Sequence, residues 1–464
     1  MNNQDTICAI STAPGAGGVA VIRVSGPEAF AITNNIYRPL KEGKSVLTQK
    51  AYTLSYGTIF NGDVSIDDVV VAVFRTPHSF TGEDTVEISC HGSVYIQQQI
   101  LQLLIKQGCR LATAGEFTQR AFLNGKMDLS QAEAVADLIA STSAASHKLA
   151  LNQMRGGFSN ELTKLRMQLL DFTSLVELEL DFSEEDVEFA DRSALKNLAR
   201  DIEQIIGKLA ESFSVGNAIK NGIPVAIIGE TNAGKSTLLN LLLQEDKAIV
   251  SDIHGTTRDV IEDTMNIGGV TFRFIDTAGI RETTDTIESI GIERTYQKLD
   301  QASIILWVMD INTPEAELNA LAQTIVPKAE GKQLVLVFNK IDELTPAQLE
   351  EKKQLLSQIE AERVFISARN NENTATLQNV LLKAAHIPEI GNNDVIVTNL
   401  RHYEALVKAH EAITRVINDM EMRISGDFLS QDIRECMHYL GEITGHISTD
   451  DVLGNIFAKF CIGK

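Results

Sequence analysis

Apolar positions along this chain change period from one stretch to the next. In the first 120 residues they fall into strand-like runs. Val19 to Val24 is one, and the alternating or apolar segment Val69-Val70-Val71-Ala72-Val73-Phe74 is another. The spacing predicts a helix over Val94–Lys106 between the later segments. Strands and a helix mixed this way read as α+β. From about 121 to 215 the pattern turns helical. Leu162, Leu165, Leu169, Phe172 and Val176 step by three and four, which lines one face of a helix. From about 216 to 385 short apolar runs return. They are Val225 to Ile228, Leu334 to Phe338 and Val364 to Ile366, with an alternating strand at Thr271 to Ile275 and a leucine-rich helix start at Ser236 to Leu243. Buried parallel strands read as such runs. Helical spacing then resumes at Tyr403, Leu406, His410, Ile413, Ile417 and Met420. Helix on both sides of a complete α/β unit predicts an insertion. The expected domains are 1–120, a helical domain of 121–215 plus 386–464, and an inserted α/β domain of 216–385.

The inserted stretch carries the chemistry. Gly229-Glu230-Thr231-Asn232-Ala233-Gly234-Lys235-Ser236 matches the phosphate-loop pattern at every fixed position, between a strand and a helix. Glycines let backbone N–H groups turn toward phosphate oxygens, and the helix N-terminus adds its own donors. Lys235 supplies a point charge for the β and γ phosphates, and the Ser236 hydroxyl suits Mg²⁺. Gly255-Thr256-Thr257-Arg258-Asp259 places hydroxyls where a switch segment needs them. Asp276-Thr277-Ala278-Gly279 ends a strand and offers a carboxylate near the metal and a backbone N–H to the γ-phosphate. In Asn339-Lys340-Ile341-Asp342 the Asp342 carboxylate can accept both N–H donors of a guanine edge, which adenine lacks. Ser367-Ala368 is the expected loop over the base. Together these predict a GTPase domain. The nucleotide set is Asn232, Ala233, Gly234, Lys235, Ser236, Thr237, then Ser251, Asp252, Ile253, His254, Gly255, Thr256, Thr257, then Asp276, Thr277, Ala278, Gly279, and Asn339, Lys340, Asp342, Ser367, Ala368.

Composition narrows the class. At 464 residues the chain has room for roughly three domains. Its net charge of −21 argues against a broad grip on nucleic-acid phosphates, which rests on clustered Lys and Arg. Any nucleic-acid substrate is expected to be held locally or by a partner. No secretory pattern opens the sequence, and no apolar run approaches the roughly 20 residues of a membrane span. The five scattered cysteines form no Cys-x-x-Cys. A reduced, cytoplasmic chain without membrane contact is expected. Cys90-His91 invites a thiolate–imidazole reading, but neighbours on a strand point to opposite faces, so both are taken as structural. The acidic run Asp181 to Glu188 reads as a solvated turn or helix start.

The nucleotide motifs, Gly15 to Val19, Ser79-Phe80-Thr81-Gly82-Glu83-Asp84, Ala121-Phe122-Leu123-Asn124-Gly125-Lys126 and the terminal Phe460-Cys461-Ile462-Gly463-Lys464 together resemble the MnmE (TrmE) family of tRNA-modification GTPases. The likeness covers essentially the whole chain. It implies a multidomain α/β plus all-α fold: a Ras-like P-loop GTPase domain inserted into a helical domain, preceded by an α+β tetrahydrofolate-binding and dimerising domain. It implies an MnmG-type FAD-containing partner in a heterotetramer or larger assembly. It also implies an aminomethyl-type group built on C5 of the tRNA wobble uridine, with 5-formyl- or 5,10-methylene-tetrahydrofolate as the one-carbon source. The competing reading is a GTP-dependent ribosome-assembly switch, which usually carries a basic RNA-binding appendix.

Residue by residue, the resemblance makes Ser236 and Thr257 Mg²⁺ ligands, and Asn232, Ser251, Ile253 and Thr256 K⁺ ligands. A monovalent cation against the phosphates would stand in for an arginine finger. Ile280 stands where Ras-type proteins keep a water-orienting glutamine. The resemblance assigns that role to Glu288, with Glu282 as competitor; Glu288 and Lys235 are the catalytic candidates. Arg23, Glu87, Lys126 and Lys464 carry over as folate contacts. Cys461 is open between a nucleophile or one-carbon acceptor and a small packing group. Phe460 and Ile462 are expected to anchor the tail in an apolar groove, with Gly463 letting it turn. Glu230-Thr231 departs from the family's usual Arg-Pro or Tyr-Pro, which puts a negative charge at the edge of the loop.

Overall fold

The structure is a computed structural model. It describes residues 5–181, 192–247, 263–275, 300–355, 361–387, 391, 394–422, 426–447 and 450–463. Backbone contacts divide the chain into two compact units. One is Met1–Ile139, Gln153–Glu203 and Lys408–Lys464; the other is Ala140–Asn152 and Gln204–Val407.

The first unit is built on β1 (Ile7–Ile10), β2 (Val19–Ser25), α1 (Ala29–Ile36), β3 (Tyr37–Pro39), β4 (Thr53–Asn61), β5 (Val64–Phe74), β6 (Thr85–His91), α2 (Val94–Lys106) and β7 (Arg110–Leu111). Its sheet runs β3-β4-β5-β6-β2-β1-β7, antiparallel except where β7 joins β1. Alternation sorts the side chains. Ile22, Val24, Val71 and Ile88 point into a core with Ile100 and Leu104 of α2. On the other face Val19, Leu54 and Tyr56 are exposed. The strand read at Val69–Phe74 begins earlier, at Val64, because Asp67 and Asp68 interrupt the apolar run without ending the pairing.

Helices follow: α3 (Glu116–Leu123), α4 (Leu129–Ala140), α5 (Ala144–Met154), α6 (Gly157–Asp181), α7 (Arg192–Glu211) and α8 (Phe213–Asn221). The stripe Leu162, Leu165, Leu169, Phe172 and Val176 of α6 is buried, as its spacing requires.

The second unit holds β8 (Ile223–Ile228), α9 (Lys235–Lys247), β9 (Asp263–Ile267), β10 (Val270–Phe274), β11 (Ile304–Asp310), α10 (Glu315–Ile325), β12 (Gln333–Asn339), α11 (Pro346–Leu355), β13 (Glu362–Phe365) and α12 (Thr374–Ala384). Its sheet order is β13-β12-β11-β8-β10-β9, parallel apart from the β9–β10 hairpin. Apolar side chains leave both faces. Val225 and Ile227 pack with Leu238, Leu239 and Leu242 of α9, while Ala226 and Ile228 pack with Trp307, Met309 and Phe338 on the opposite face. That two-sided burial explains the unbroken apolar runs. The sheet grows from β8 in both directions, to β10 and to β11. A crevice therefore opens beyond the carboxyl ends of these strands.

Later helices are α13 (Leu400–Met422), α14 (Gly426–Thr444) and α15 (Asp450–Phe457). In the first unit α14 packs along α6, where Ser430 and Arg434 both donate to Glu177. The face of α13 needs correction. Its buried line is His402, Leu406, Ala409, Ile413 and Val416, whereas Tyr403, His410, Ile417 and Met420 are only partly buried. Counting large side chains turned the stripe. Ala405, Ala409 and Ala412 are buried with this line, and a count of large side chains passes over them.

Candidate functional site: a nucleotide cleft at the strand ends

The loop after β8 turns where only certain residues can. Gly229 has φ +147°, and a Cβ there would lie 2.0 Å from the Val308 carbonyl oxygen of β11. Gly234 has φ +94°, and its Cβ would lie 2.1 Å from Asn339 Nδ2. Two of the motif's glycines are thus required by backbone sterics. Asn232 takes φ +66°, which asparagine tolerates better than most residues. α9 starts at Lys235, so its first turn faces the loop. Lys235 Nζ donates to the carbonyls of Gly229 at 2.8 Å and Glu230 at 2.6 Å, which holds the ammonium across the loop mouth.

The loop opens on a cleft of about 570 Å³ lined by Thr231, Asn232, Gly234, Lys235, Ser236, Thr237, Asn339, Lys340, Asp342, Glu343 and Arg369. Asn339, at the end of β12, is buried and ties three motifs together. Its Nδ2 donates to Ala233 O, and its Oδ1 accepts from Ala368 N–H, both at 2.9 Å. Ser367 is also buried and exchanges backbone hydrogen bonds with Glu372. Lys340 has φ +69° and pairs with Asp310 at 2.7 Å. That hydrogen bond raises Lys340 above the ordinary lysine range. Burial works to raise the Asp310 carboxyl, but the Lys340 bond and the Asn312 N–H hold it lower than usual. Asp342 is exposed at the cleft and makes no hydrogen bond among the described residues. The motif-led reading missed Asp310, Glu343 and Arg369. An acid closing an apolar strand was the available signal for Asp310.

The structure therefore gathers Asn232 to Thr237, Asn339, Lys340, Asp342, Ser367 and Ala368 into one place. Ser251, Asp252, Ile253, His254, Gly255, Thr256, Thr257, Asp276, Thr277, Ala278, Gly279, Glu282 and Glu288 lie outside the described residues.

Two family descriptions match this chain. "GTP-binding protein TrmE N-terminus" covers residues 6–126, and "MnmE helical domain" covers residues 129–461. The tRNA modification GTPase MnmE of Bacteroides thetaiotaomicron is 65% identical over 465 residues, covering 100% of both chains. The chain belongs to the MnmE family. That of Flavobacterium johnsoniae is 54% identical, again over 100% of both chains. A solved structure of an Aquifex aeolicus Era variant bound to GDP·AlF4 is 30% identical over 41% of this chain and 66% of its own, with a TM-score of 0.27. As an MnmE-family chain this is a P-loop GTPase, with an α/β nucleotide-binding part and a large helical complement.

The first unit of this MnmE-family chain brings together three of the four residues singled out for folate. Arg23 and Glu87 are direct partners across β2 and β6 and form an ion pair at 2.8 Å. The Arg23 guanidinium also lies over the rings of Phe80 at 5.5 Å and Phe117 at 5.6 Å. Lys126 Nζ donates to Pro77 O, and Asn124 Nδ2 to Thr81 O, so both hold the loop that carries Phe80. Lys464 lies outside the described residues.

The tail docks differently from expectation. Phe460 is partly buried beside Phe457, but Ile462 is 64% exposed and fills no groove. Backbone bonds hold the tail instead: Gly115 N–H donates to Cys461 O, Ile462 bridges Ala114, and Ser11 Oγ donates to Gly463 O. An extended bridge alternates its side chains, so Ile462 turns outward. Gly463 is needed for φ +94°, where a Cβ would meet Ile10 O at 2.1 Å. Cys461 is exposed, and the other four thiols are buried and free.

Asp342→Asn should exchange guanine for xanthine preference, because the amide presents a donor where the carboxylate accepts. Competition binding of GTP and XTP reads this directly. A variant that still prefers GTP more than about tenfold, or about 1.4 kcal/mol, would remove Asp342 from base recognition.

Proposed function

We propose that this chain is the GTP-hydrolysing subunit of a system that adds an aminomethyl- or carboxymethylaminomethyl-type group to C5 of the tRNA wobble uridine. A tetrahydrofolate supplies the one-carbon unit, and an MnmG-type FAD protein is the partner. The observation that carries the reading is the joining, in one chain, of a phosphate-loop cleft with an Arg23–Glu87 pair set beside an aromatic ring.

The donor sets fit the groups invoked. Glu87 offers a carboxylate to a donor-rich pterin edge, Phe80 a partly exposed ring, and Arg23, Lys126 and Lys464 positive charge for a glutamate tail. In the cleft, Ser236 and Asn232 provide the hard oxygens that Mg²⁺ and K⁺ prefer, to be completed by Thr257 and by Ser251, Ile253 and Thr256. When bound, such ions neutralise phosphate charge. Lys235 holds the β and γ phosphates, Asp342 reads the base, and Glu288 orients the attacking water. Glu230, exposed at the loop, weakens phosphate affinity modestly through repulsion.

Residues 1–120 serve folate binding and homodimerisation, 121–215 with 386–464 the helical domain, and 216–385 the GTPase. Exposed Val19, Leu54 and Tyr56 on one sheet face suit a dimer contact. With a net charge of −21, the chain leaves most of the tRNA to its partner in a heterotetramer or larger assembly. No described helix is long and apolar enough to cross a membrane, in keeping with a proposed cytoplasmic setting. No observation favours the ribosome-assembly switch.

The test is reconstitution with the flavin partner and unmodified tRNA, read by nucleoside mass spectrometry, omitting GTP, folate and K⁺ in turn. Omitting GTP or folate should abolish the modified uridine, and omitting K⁺ should reduce it. GTP turnover should drop on the order of tenfold when NaCl replaces KCl at equal ionic strength, a change of about 1.4 kcal/mol in barrier. Modification that proceeds without folate, or equal turnover in the two salts, would refute the respective assignment.

A further inference from the structure

His91, the last residue of β6, is held by a carboxylate in two ways. Asp67 Oδ2 accepts the His91 backbone N–H at 2.8 Å, and Asp67 Oδ1 meets Nδ1 at 2.7 Å. The first bond has a plain structural reason. β5 pairs with β6 only from Val70 opposite Ser89 onward, so the Asp67 side chain takes the place of the missing ladder acceptor. The second bond is not needed for that. It fixes the ring of a residue whose side chain is 68% exposed, from a carboxylate that is only 7% exposed. A carboxylate only accepts, so Nδ1–H is the donor to Asp67 and Nε2 is the ring nitrogen left out of that bond. Nε2 makes no hydrogen bond among the described residues. Cys90 takes no part. It is buried on the opposite face, donates to Ala20 O, and burial together with Asp67 pushes its thiol up to about 11.

The surroundings select the ligand. Asp68 is exposed on β5 and accepts from Thr58, and the Tyr56 phenol on β4 is pushed up, first by the Asp68 charge. On β2 the residue opposite is Val19, which brings no charge. Negative charge around an oriented imidazole acceptor suits a protonated amine and disfavours a phosphate or carboxylate. His91 also shares its face of β6 with Glu87, four residues away, or about 14 Å along the strand.

We infer that His91, oriented by Asp67, is the proton acceptor for the nitrogen donor of the modification, a primary ammonium compound such as ammonium itself or an amino acid. This rests on the reading of the chain as part of a system that installs an aminomethyl-type group. In the step, one N–H bond of R–NH3⁺ breaks and its proton joins His91 Nε2. The electron pair stays on nitrogen as the nucleophile. The imidazolium is balanced by Asp67 and returns the proton to water.

The experiment measures kcat/KM for ammonium chloride and for glycine in the reconstituted system, from pH 7 to pH 9. His91→Gln should lower kcat/KM about 10²-fold at pH 7, the usual worth of a positioned base. The deficit should shrink as the pH rises and free amine becomes abundant, and added imidazole should restore part of it. Asp67→Asn keeps the ring but loses its orientation, and should show a smaller loss with the same pH trend. An unchanged kcat/KM in His91→Gln, or a loss constant with pH and not rescued by imidazole, would overturn the assignment while leaving the proposed function standing. Absence of modification by the wild-type system with either donor would overturn both.

Discussion

Replacing Lys235 by Ala should cut kcat/KM for GTP by about 10²–10³, or about 3–4 kcal/mol of transition-state stabilisation. The side chain is fixed before substrate arrives. Its Nζ spans the carbonyls of Gly229 and Glu230, so the charge sits over the loop with little rotamer freedom left to lose. An alanine removes the positive charge that faces the loop's N–H groups and leaves two carbonyl oxygens pointing at incoming phosphate. Lys235→Arg should restore little, because a planar fork does not fit a position built for a point charge. Steady-state GTP turnover and fluorescent-nucleotide titration read the two components. The fold should survive, since Asn339 continues to hold Ala233 and Ala368. A loss below tenfold in Lys235→Ala would show that the loop backbone alone carries phosphate binding.

Replacing Arg120 by Ala should destabilise the first unit by about 3–5 kcal/mol, the cost of removing one member of a buried charge network. Arg120 is 2% exposed. It donates to Asp5 Oδ1 at 2.7 Å, Asp5 O at 2.8 Å, Glu116 Oε1 at 3.0 Å and Glu83 Oε1 at 3.2 Å. Without it three carboxylates face one another. Two of them show how far they depend on cations. Asp5 is held below the ordinary carboxylate range, first by its bond to Arg110. Burial works to raise Glu116, but the Arg110 bond and its other partners bring it below the usual value. Folded values below unfolded ones mean that this stabilisation is present at neutral pH. It is lost as pH falls from the ordinary values of 3.8 and 4.5 through the lower folded ones. The variant should therefore show a flatter acid limb as well as lower stability. The protein has one tryptophan, and Trp307 lies in the other unit. Hydrogen exchange on β1, β2 and β6 should thus report the loss, while the Trp307 fluorescence transition stays in place. Unaltered exchange on those strands would show that the network does not hold this unit.

Much of the nucleotide site was legible because it is local. A phosphate loop needs glycine, lysine and a hydroxyl at fixed spacing, and the strand before it and helix after it are written in the same dozen residues. Asp342 could be read for the same reason. Asn339 could be placed in the site, but its role could not. That role is to join Ala233 and Ala368, residues 106 and 29 positions away, and only the parallel order of β8, β12 and β13 brings them together. Arg369 and Asp310 were hidden for the same reason: neither belongs to a spaced motif, and Arg369 lines the cleft beyond β13 while Asp310 pairs with Lys340 from the end of β11.

By itself the sequence determined the element types, because periods of two and of three to four are properties of the backbone. It also determined the chemistry of the phosphate loop and a family likeness that runs through both termini. Tertiary structure decided everything that depends on pairing across distance. Register set Arg23 opposite Glu87. The end of β5–β6 pairing turned Asp67 into a partner for His91. Packing buried His402, Leu406, Ala409, Ile413 and Val416 of α13 and left Tyr403, His410, Ile417 and Met420 only partly covered. Backbone bonding, with Ile462 turned out to solvent, fixed the tail at Gly115 and Ser11. Hydrophobic pattern reports which way a side chain must face, but not which neighbour it meets. That second choice is made by strand order and register, which bring together residues that are far apart in the chain.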